Sequence, residues 1–277
     1  MFDCQIQPIL TYGSEIWGLM VDQECIERIH LSALKRFMGV SPKASRHLIY
    51  GETGRYPLYV NTYTRCVKFW LRLVCMEEHR YPKKAYNMLL SLQNQNYVTW
   101  ACRVRNVLFK YGFGTVWEAQ GVGNIKLFLL EFKQRLTDAF RQDWHAALEA
   151  HDFFQVYSSF NQTVSIKSYL FQVRNINLRK CLARFRIGMS SLKHSYLQYR
   201  PQPSNSDSCP FCCDELENEV HFLFVCPKYS ELREELIPAK YYRHPSLFKF
   251  SLIIANENYN VIWNTSMFIH RALSLRR

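Results

Sequence analysis

The chain carries, towards its C-terminal end, a set of side chains suited to binding a metal ion. Cysteine, cysteine, histidine and cysteine occur in that order at Cys209, Cys212, His221 and Cys226, separated by two, eight and four residues. Three thiolates and one imidazole form a ligand set that holds zinc in tetrahedral geometry. Because four protein ligands leave no open coordination position, the spacing predicts a structural zinc site without metal catalysis.

One ligand position is ambiguous in the sequence, because Cys213 directly follows Cys212. Either thiol could be the second ligand, and we favour Cys212 for the tighter turn. The chain has no apolar signal segment at its N-terminal residues, so we expect a reducing, intracellular compartment, nuclear or cytoplasmic, without a disulfide framework. The remaining thiols are widely scattered and are interpreted as core or surface cysteines: Cys4, Cys25, Cys66, Cys75, Cys102 and Cys181.

Aromatic side chains flank the predicted ligands and have two possible roles. Phe222, Leu223 and Phe224 directly follow the histidine and are placed to pack over the metal as a dry outer shell. Alternatively, Phe211, Phe222 or Phe224 could stack on unpaired nucleic-acid bases. We favour the core role for these rings.

The net charge of +12 is concentrated in the middle of the chain. Residues 61–200 hold 21 basic and 8 acidic side chains, a net +13, whereas residues 1–60 are neutral and residues 201–277 carry −1. No acidic residue occurs between Asp152 and Asp207. Such a stretch is typical of a surface that binds phosphate groups, although a solvated helix face is the alternative.

The basic residues of this stretch have a predicted helical scaffold. A helix from about Ser168 to Gly188 would turn its apolar residues inward and its cationic residues outward. The expected partner is RNA or single-stranded DNA. The candidate nucleic-acid-binding residues are Arg174, Arg179, Lys180, Arg184, Arg186 and Lys193.

Other segments also have helical patterns, so the predicted fold is mainly α. Apolar residues recur every four positions from about Ile125 to Ala150, and a terminal helix is predicted from about Tyr259 to Arg276. Tyr50–Pro57, which contains two glycines and a proline, is predicted to be a loop. No apolar run approaches the roughly 20 residues needed to cross a bilayer, so we expect no membrane association.

The pattern of helices, turns and ligands predicts five segments. A helical domain is followed by a small zinc knuckle and a terminal helix, and the polar, turn-rich sequence PQPSNSDS forms the clearest linker. The segments are an N-terminal region at 1–60, a basic helical domain at 61–200, the linker at 201–208, the zinc knuckle at 209–236 and a C-terminal helical tail at 237–277.

Several motifs, taken in order, resemble the C-terminal part of the polyprotein of LINE-type non-LTR retrotransposons, downstream of the reverse transcriptase. Pro8–Gly18, PILTYGSEIWG, and Tyr50–Leu58, YGETGRYPL, are similar to the region just after the polymerase core. Ala183–Leu192, ARFRIGMSSL, is similar to the basic helix before the zinc knuckle of that family. Cys209–Leu236 matches the Cys, Cys, His, Cys knuckle itself. The resemblance implies a zinc-binding, nucleic-acid-binding fragment.

The sequence lacks recognisable catalytic motifs, so we expect a noncatalytic protein. Nucleotide polymerisation needs clustered carboxylates, usually with adjacent aspartates, and the chain contains no Asp-Asp dipeptide. Some members of the family carry a nuclease after the knuckle, but the acids at Glu231, Glu234 and Glu235 and the nearby Lys240 lack a matching arrangement. We interpret these four as residues of a helix surface.

Two alternatives to nucleic-acid binding stay open. The acidic knuckle, with eight acids against two basic residues from Asp207 to Glu235, could dock a protein partner or the missing polymerase half, and the basic stretch could pair with an acidic protein surface. The chain could also be a decayed fragment without a selected activity. A steep salt dependence of binding to generic nucleic acid separates the first alternative from the main hypothesis.

Overall fold

The computed structural model describes residues 2–195, 207–213 and 215–276. These residues are mainly helical, which confirms the predicted fold class. Their β-structure is limited to two isolated antiparallel bridges, one between Thr53 and Ile166 and the other between Ser208 and Leu216. Of the helices in this part of the chain, none has both the length and the apolar character that a bilayer-spanning segment requires.

The helices vary in length from one turn to seven. A π-helical turn at Phe2–Ile6 precedes them, and a second one lies at His221–Val225. In chain order the α-helices are α1 (Gln7–Leu10), α2 (Ser14–Trp17), α3 (Glu24–Met38), α4 (Arg46–Thr53), α5 (Tyr59–Val74), α6 (Tyr81–Asn94), α7 (Trp100–Lys110), α8 (Gly114–Glu118), α9 (Ile125–Glu149), α10 (Gln155–Phe160), α11 (Tyr169–Gln172), α12 (Ile176–Arg186), α13 (Ser230–Leu236), α14 (Ala239–Tyr242), α15 (Leu247–Ile254) and α16 (Tyr259–Leu275).

The backbone forms two compact units, and each takes residues from two parts of the chain. Unit 1 comprises residues 1–30 and 56–142, and unit 2 comprises residues 31–55 and 143–277. The five segments predicted from the sequence are continuous along the chain, and their boundaries stay a prediction. The predicted linker lies outside the described residues except for Asp207 and Ser208.

Unit 1 is built around the tryptophan in the middle of α5. Trp70 is fully buried and stacks on Trp117 at 5.4 Å between ring centroids. Its indole N–H donates to the hydroxyl of Tyr86 at 2.9 Å, and that hydroxyl donates to Gln120 at 2.6 Å. The polar edge of the tryptophan is therefore satisfied inside an otherwise apolar core.

Unit 2 has a core of aromatic side chains contributed by helices distant in sequence. Phe222 lies between Phe185 of α12 and Phe268 of α16, at centroid distances of 5.7 and 5.8 Å. Phe250 of α15 packs against Phe185 at 6.2 Å. These rings are almost completely buried, and Phe222 packs the segment that carries the predicted metal ligands against both α12 and α16.

The two long helices predicted from their apolar periodicity are confirmed. α9 begins at Ile125 and ends one residue before the predicted Ala150, with Phe132, Leu136 and Trp144 buried. The terminal helix α16 likewise agrees with its predicted bounds to within one residue. A repeat of apolar residues that continues over several turns is sufficient to define a helix, because one face must be buried.

The single helix predicted from Ser168 to Gly188 is wrong, because the chain breaks it into α11 and α12. Val173 is buried and extended at the break. Asn175 then begins α12, and its side-chain oxygen accepts hydrogen bonds from the backbone N–H groups of Asn177 at 2.9 Å and Leu178 at 3.3 Å. Asparagine is a strong N-cap residue, so this signal was present in the sequence.

The predicted loop at Tyr50–Pro57 is also wrong in its first half, which is the end of α4. Gly51 lies inside the helix. Only glycine fits there, because a Cβ atom would come within 2.5 Å of the Tyr157 hydroxyl and 2.8 Å of Trp144. Gly54 ends the helix in the left-handed region, at φ 66°. One glycine therefore allows close packing and the other terminates the helix.

A buried ion pair lies between α4 and α12 of unit 2. Glu52 is fully buried, and its two carboxylate oxygens accept hydrogen bonds from Arg186 Nε at 2.8 Å and Nη2 at 3.0 Å. The guanidinium also donates to the carbonyl of Ile254 and lies 5.1 Å from the ring centroids of Phe160 and Tyr169. Burial acts to lower the pKa of Arg186, but the Glu52 carboxylate outweighs it and raises that pKa.

Candidate metal centre and basic groove

The backbone around the predicted ligands forms a small hairpin. Ser208 pairs with Leu216, the N–H of Cys209 donates to the carbonyl of Glu215 at 2.8 Å, and the N–H of Glu217 donates to the carbonyl of Asp207 at 2.9 Å. The turn that follows Cys209 is closed by a 3.0 Å hydrogen bond from the N–H of Cys213. This hairpin fixes the position of the first two cysteines.

The other two ligands lie at the ends of the π-helical turn His221–Val225. The N–H of His221 donates to the side chain of Asn218 at 2.8 Å, and the N–H of Cys226 donates to the carbonyl of His221 at 2.9 Å. Buried Arg233 donates to the carbonyls of Leu223 at 2.7 Å and Cys226 at 2.8 Å. The turn is therefore held at both ends by side chains that the ligand pattern did not identify.

The four predicted ligands lie close together, with their ligand atoms all within 4.8 Å of one another. The sulfurs of Cys209 and Cys226 are 3.8 Å apart, and the sulfur of Cys212 is 3.5 Å from His221 Nε2. Bonds of about 2.3 Å to sulfur and 2.0 Å to nitrogen give edges of about 3.8 and 3.5 Å in a tetrahedral complex. The group could hold a metal ion and is compatible with zinc.

The histidine is oriented by a carboxylate outside the ligand set. His221 Nδ1 lies 2.9 Å from an oxygen of Glu215. Because an ionised carboxylate only accepts hydrogen bonds, this contact favours the tautomer with the proton on Nδ1, which leaves Nε2 free to bind a metal ion. Glu215 is a functional residue that the ligand spacing alone could not reveal.

The structure places Cys212 among the clustered ligand atoms. Cys213 is exposed and adopts φ 61°, in the left-handed region. Cys212 contributes its sulfur to the cluster, and Cys213 does not belong to it. The tighter turn is thus the one that the chain adopts.

The thiols of the cluster differ in acidity because their surroundings differ. Burial acts to raise the pKa of Cys209, but hydrogen bonds from the backbone N–H groups of Cys212 and Phe211 outweigh it and lower that pKa. Burial raises the pKa of Cys226 to about 12. A metal ion that binds Cys226 as a thiolate must therefore displace its proton.

Most of the aromatic side chains near the ligands belong to the core. Phe222 and Phe224 are 1% and 3% exposed, so the interpretation as core residues holds for both. Phe211 is 39% exposed, with its ring 6.0 Å from Tyr229 and 5.6 Å from the ammonium group of Lys228. Only Phe211 of the three rings is accessible to a ligand.

Glu217 connects the segment that carries the predicted metal ligands to two other parts of unit 2. Its buried carboxylate accepts hydrogen bonds from the backbone N–H of Lys193 at 3.0 Å and from Arg276 Nε and Nη2, both at 2.6 Å. Its carbonyl accepts from the N–H of His194 at 3.1 Å. Ser195 donates to the buried Glu219 two residues further along. The segment is therefore joined to residues 193–195 and to the end of α16.

The predicted nucleic-acid-binding residues lie in different surroundings. Arg174 and Arg184 are exposed, and Arg179, Lys180 and Lys193 are half-buried. Arg179 lies over the ring of Phe37 at 5.4 Å, and Arg184 Nε donates to the carbonyl of Gly39 at 2.6 Å. Arg186 is only 4% exposed and is paired with Glu52, so it is not accessible to a phosphate and is removed from the candidate set.

Two of these residues line a groove between α12 and α16. The groove has a volume of about 540 Å³, and its cationic lining consists of Lys180 and Arg184, with His270 on the opposite helix. Its other lining residues are Asn177, Cys181, Met189, Ser190, Ser191, Leu273 and Ser274, so no carboxylate is among the described residues that line it. The sequence did not single out His270, because it lies 86 residues from Arg184.

Comparison of the chain with protein-family models, with curated proteins and with solved structures found no match.

Proposed function

We propose that this chain is a noncatalytic protein that binds zinc at its Cys3His cluster and binds RNA or single-stranded DNA at the groove between α12 and α16. The sequence motifs resemble those of the region downstream of the reverse transcriptase in LINE-type retrotransposon polyproteins, and this function is the one expected of such a fragment. The observation that supports nucleic-acid binding is that Lys180, Arg184 and His270 line the same groove, and that no carboxylate is among its described lining residues.

Zinc is the metal that best fits the donor set. Three sulfur donors and one imidazole nitrogen, mostly buried and at tetrahedral separations, favour a soft to borderline ion without a geometric preference of its own. His221 is oriented by Glu215, as metal-bound histidines usually are by a neighbouring carboxylate. With four protein ligands the ion would stabilise the fold of residues 207–236 and would leave no position for a substrate.

Phosphate binding at the groove is supported by charge and by backbone position. Arg184 keeps its head group exposed while Nε is fixed on the carbonyl of Gly39, so its direction is set before a ligand binds. Gly39 has φ 69°, and a side chain there would collide with the stem of Lys180. The guanidinium of Arg184 and the aliphatic stem of Lys180 thus both lie against the backbone at Gly39, which limits the entropy lost when a phosphate binds.

A salt titration with matched variants tests the nucleic-acid proposal. We expect the double variant Lys180→Ala/Arg184→Ala to bind a single-stranded oligonucleotide more weakly and to lower the slope of log K against log salt by about 1.4, since each single-strand phosphate contact contributes about 0.7. Fluorescence anisotropy of a labelled 15-nucleotide RNA at several salt concentrations gives both quantities.

The matched control is Lys240→Ala/Arg243→Ala, which removes two exposed charges of the same unit outside the groove. We expect it to change the slope by much less than the groove variant. Equal losses in the two double variants would mean that only net charge matters. If the groove variant lost binding to an acidic protein surface but bound RNA as tightly as the wild type, the protein-interaction alternative would be favoured.

A further inference from the structure

A second groove with a cationic lining lies in unit 1. It has a volume of about 720 Å³ and follows α5, with contributions from α2 and from the first residue of α9. Four cationic and two anionic side chains line it, which gives a net charge of +2: Arg65, Lys68, Arg72 and Arg80 against Glu15 and Glu77.

Three of the cations share one face of α5, because Arg65, Lys68 and Arg72 are three and four residues apart. They extend over about 10 Å at 1.5 Å per residue. Arg65 is fixed by hydrogen bonds from Nη1 to the carbonyl and the hydroxyl of Thr11, both at 2.9 Å. Lys68, Arg72 and Arg80 are exposed and have no ion-pair partner within the described ranges, so they remain available to an anion.

The groove also has an apolar side. Phe69, Met76 and Ile125 line it, and none of the three is fully exposed. The ring of Phe69 is held edge-on to Trp100 at 5.9 Å and 72°. A ring fixed in this way beside a row of cations suits a ligand with phosphate groups at one end and a flat ring at the other.

We infer that the groove along α5 binds a nucleotide, either free or as part of a single strand, with its phosphates at Lys68, Arg72 and Arg80 and its base against Phe69. A free phosphate alone would use the cations and leave the apolar side empty. The inference does not rest on the proposed function, since no residue of α12 or α16 takes part.

The exposed thiol of Cys75 lines this groove and provides a local reporter. We expect ATP and a 15-nucleotide oligothymidine to slow the alkylation of Cys75 in the full chain, measured by mass spectrometry. Cys25 is exposed in the same unit but does not line the groove, so its alkylation rate should stay unchanged. Pyrophosphate should protect Cys75 only at higher concentration, because it lacks a base.

Substitutions of the lining residues then test which of them contact the nucleotide. Lys68→Ala/Arg72→Ala should weaken ATP binding by about tenfold or more, because it removes two charge-assisted contacts. Phe69→Leu should weaken binding of ATP but not of pyrophosphate. The matched control Arg103→Ala/Lys133→Ala removes two exposed cations of the same unit that do not line the groove, and it should bind within about twofold of the wild type.

The sources of the nucleotide are separated in the Lys180→Ala/Arg184→Ala background. If ATP protects Cys75 in that background and the oligonucleotide does not, the ligand is a free nucleotide. If the oligonucleotide also protects Cys75, the groove binds a single strand. Three results would overturn the inference: no protection by either probe, equal protection by pyrophosphate and ATP, or equal weakening by the groove and control variants. Each of these leaves the RNA titration of the other groove unaffected.

Discussion

Replacing Arg186 with methionine is expected to lower the free energy of unfolding by about 3–5 kcal/mol, because it leaves a buried carboxylate without its partner. Glu52 is fully buried, and Arg186 contributes two hydrogen bonds to it. The hydroxyl of Tyr157, 3.2 Å from the same carboxylate, cannot supply a positive charge. Urea unfolding followed by far-ultraviolet circular dichroism measures the loss.

The control for this prediction is Arg174→Met, which changes an exposed arginine of the same basic stretch. An exposed substitution of this kind should change stability by no more than about 0.5 kcal/mol. The double variant Glu52→Gln/Arg186→Met should recover part of the loss, since it removes the uncompensated charge. If Arg174→Met and Arg186→Met were equally stable, the ion pair would not be a determinant of the fold.

This ion pair shows what the sequence could not predict about the basic stretch. Arg186 was grouped with Arg184 because both lie on the predicted helix and neither has an acid nearby in sequence. Its partner, Glu52, lies 134 residues away, in a stretch whose glycines indicated a loop. Local composition reports the charge of a segment, but burial depends on contacts that are distant in sequence.

The helix prediction succeeded where the apolar signal repeats over several turns and failed where the structure depends on single residues. α9 was predictable because its apolar residues recur over six turns, and no local signal competes with them. The division between α11 and α12 depends on one capping residue, Asn175, and on the burial of Val173. A sequence pattern that averages over several turns does not resolve such a break.

The close approach of Cys209, Cys212, His221 and Cys226 was predictable from spacing, because they occur within 18 residues and the turn between two of them is short. The residues that support it were not. Glu215 orients His221, Arg233 holds the π-helical turn, and Glu217 joins the hairpin to the end of α16. Each acts through a side-chain contact that leaves no periodic signal in the sequence.

Loss of the proposed zinc ion is expected to have the largest local effect on the structure. If one zinc ion binds per chain, its apparent binding free energy should be on the order of 10 kcal/mol, and Cys209→Ser should abolish stoichiometric binding. Chelation should then disorder residues 207–236. Because Glu217 holds the backbone of Lys193 and the side chain of Arg276, residues 193–195 and the last turn of α16 should also lose protection in hydrogen exchange.

Cys213→Ser is the matched control, since it changes the neighbouring, exposed thiol that is not part of the cluster. It should retain one equivalent of zinc in metal analysis. Glu217→Gln separates the two effects of the metal: it should keep the ion while weakening the contact with Arg276, because a neutral amide replaces the charged acceptor. Exchange protection of α16 that depended on zinc but not on Glu217 would show that the aromatic core around Phe222, and not this ion pair, couples the metal to the terminal helix.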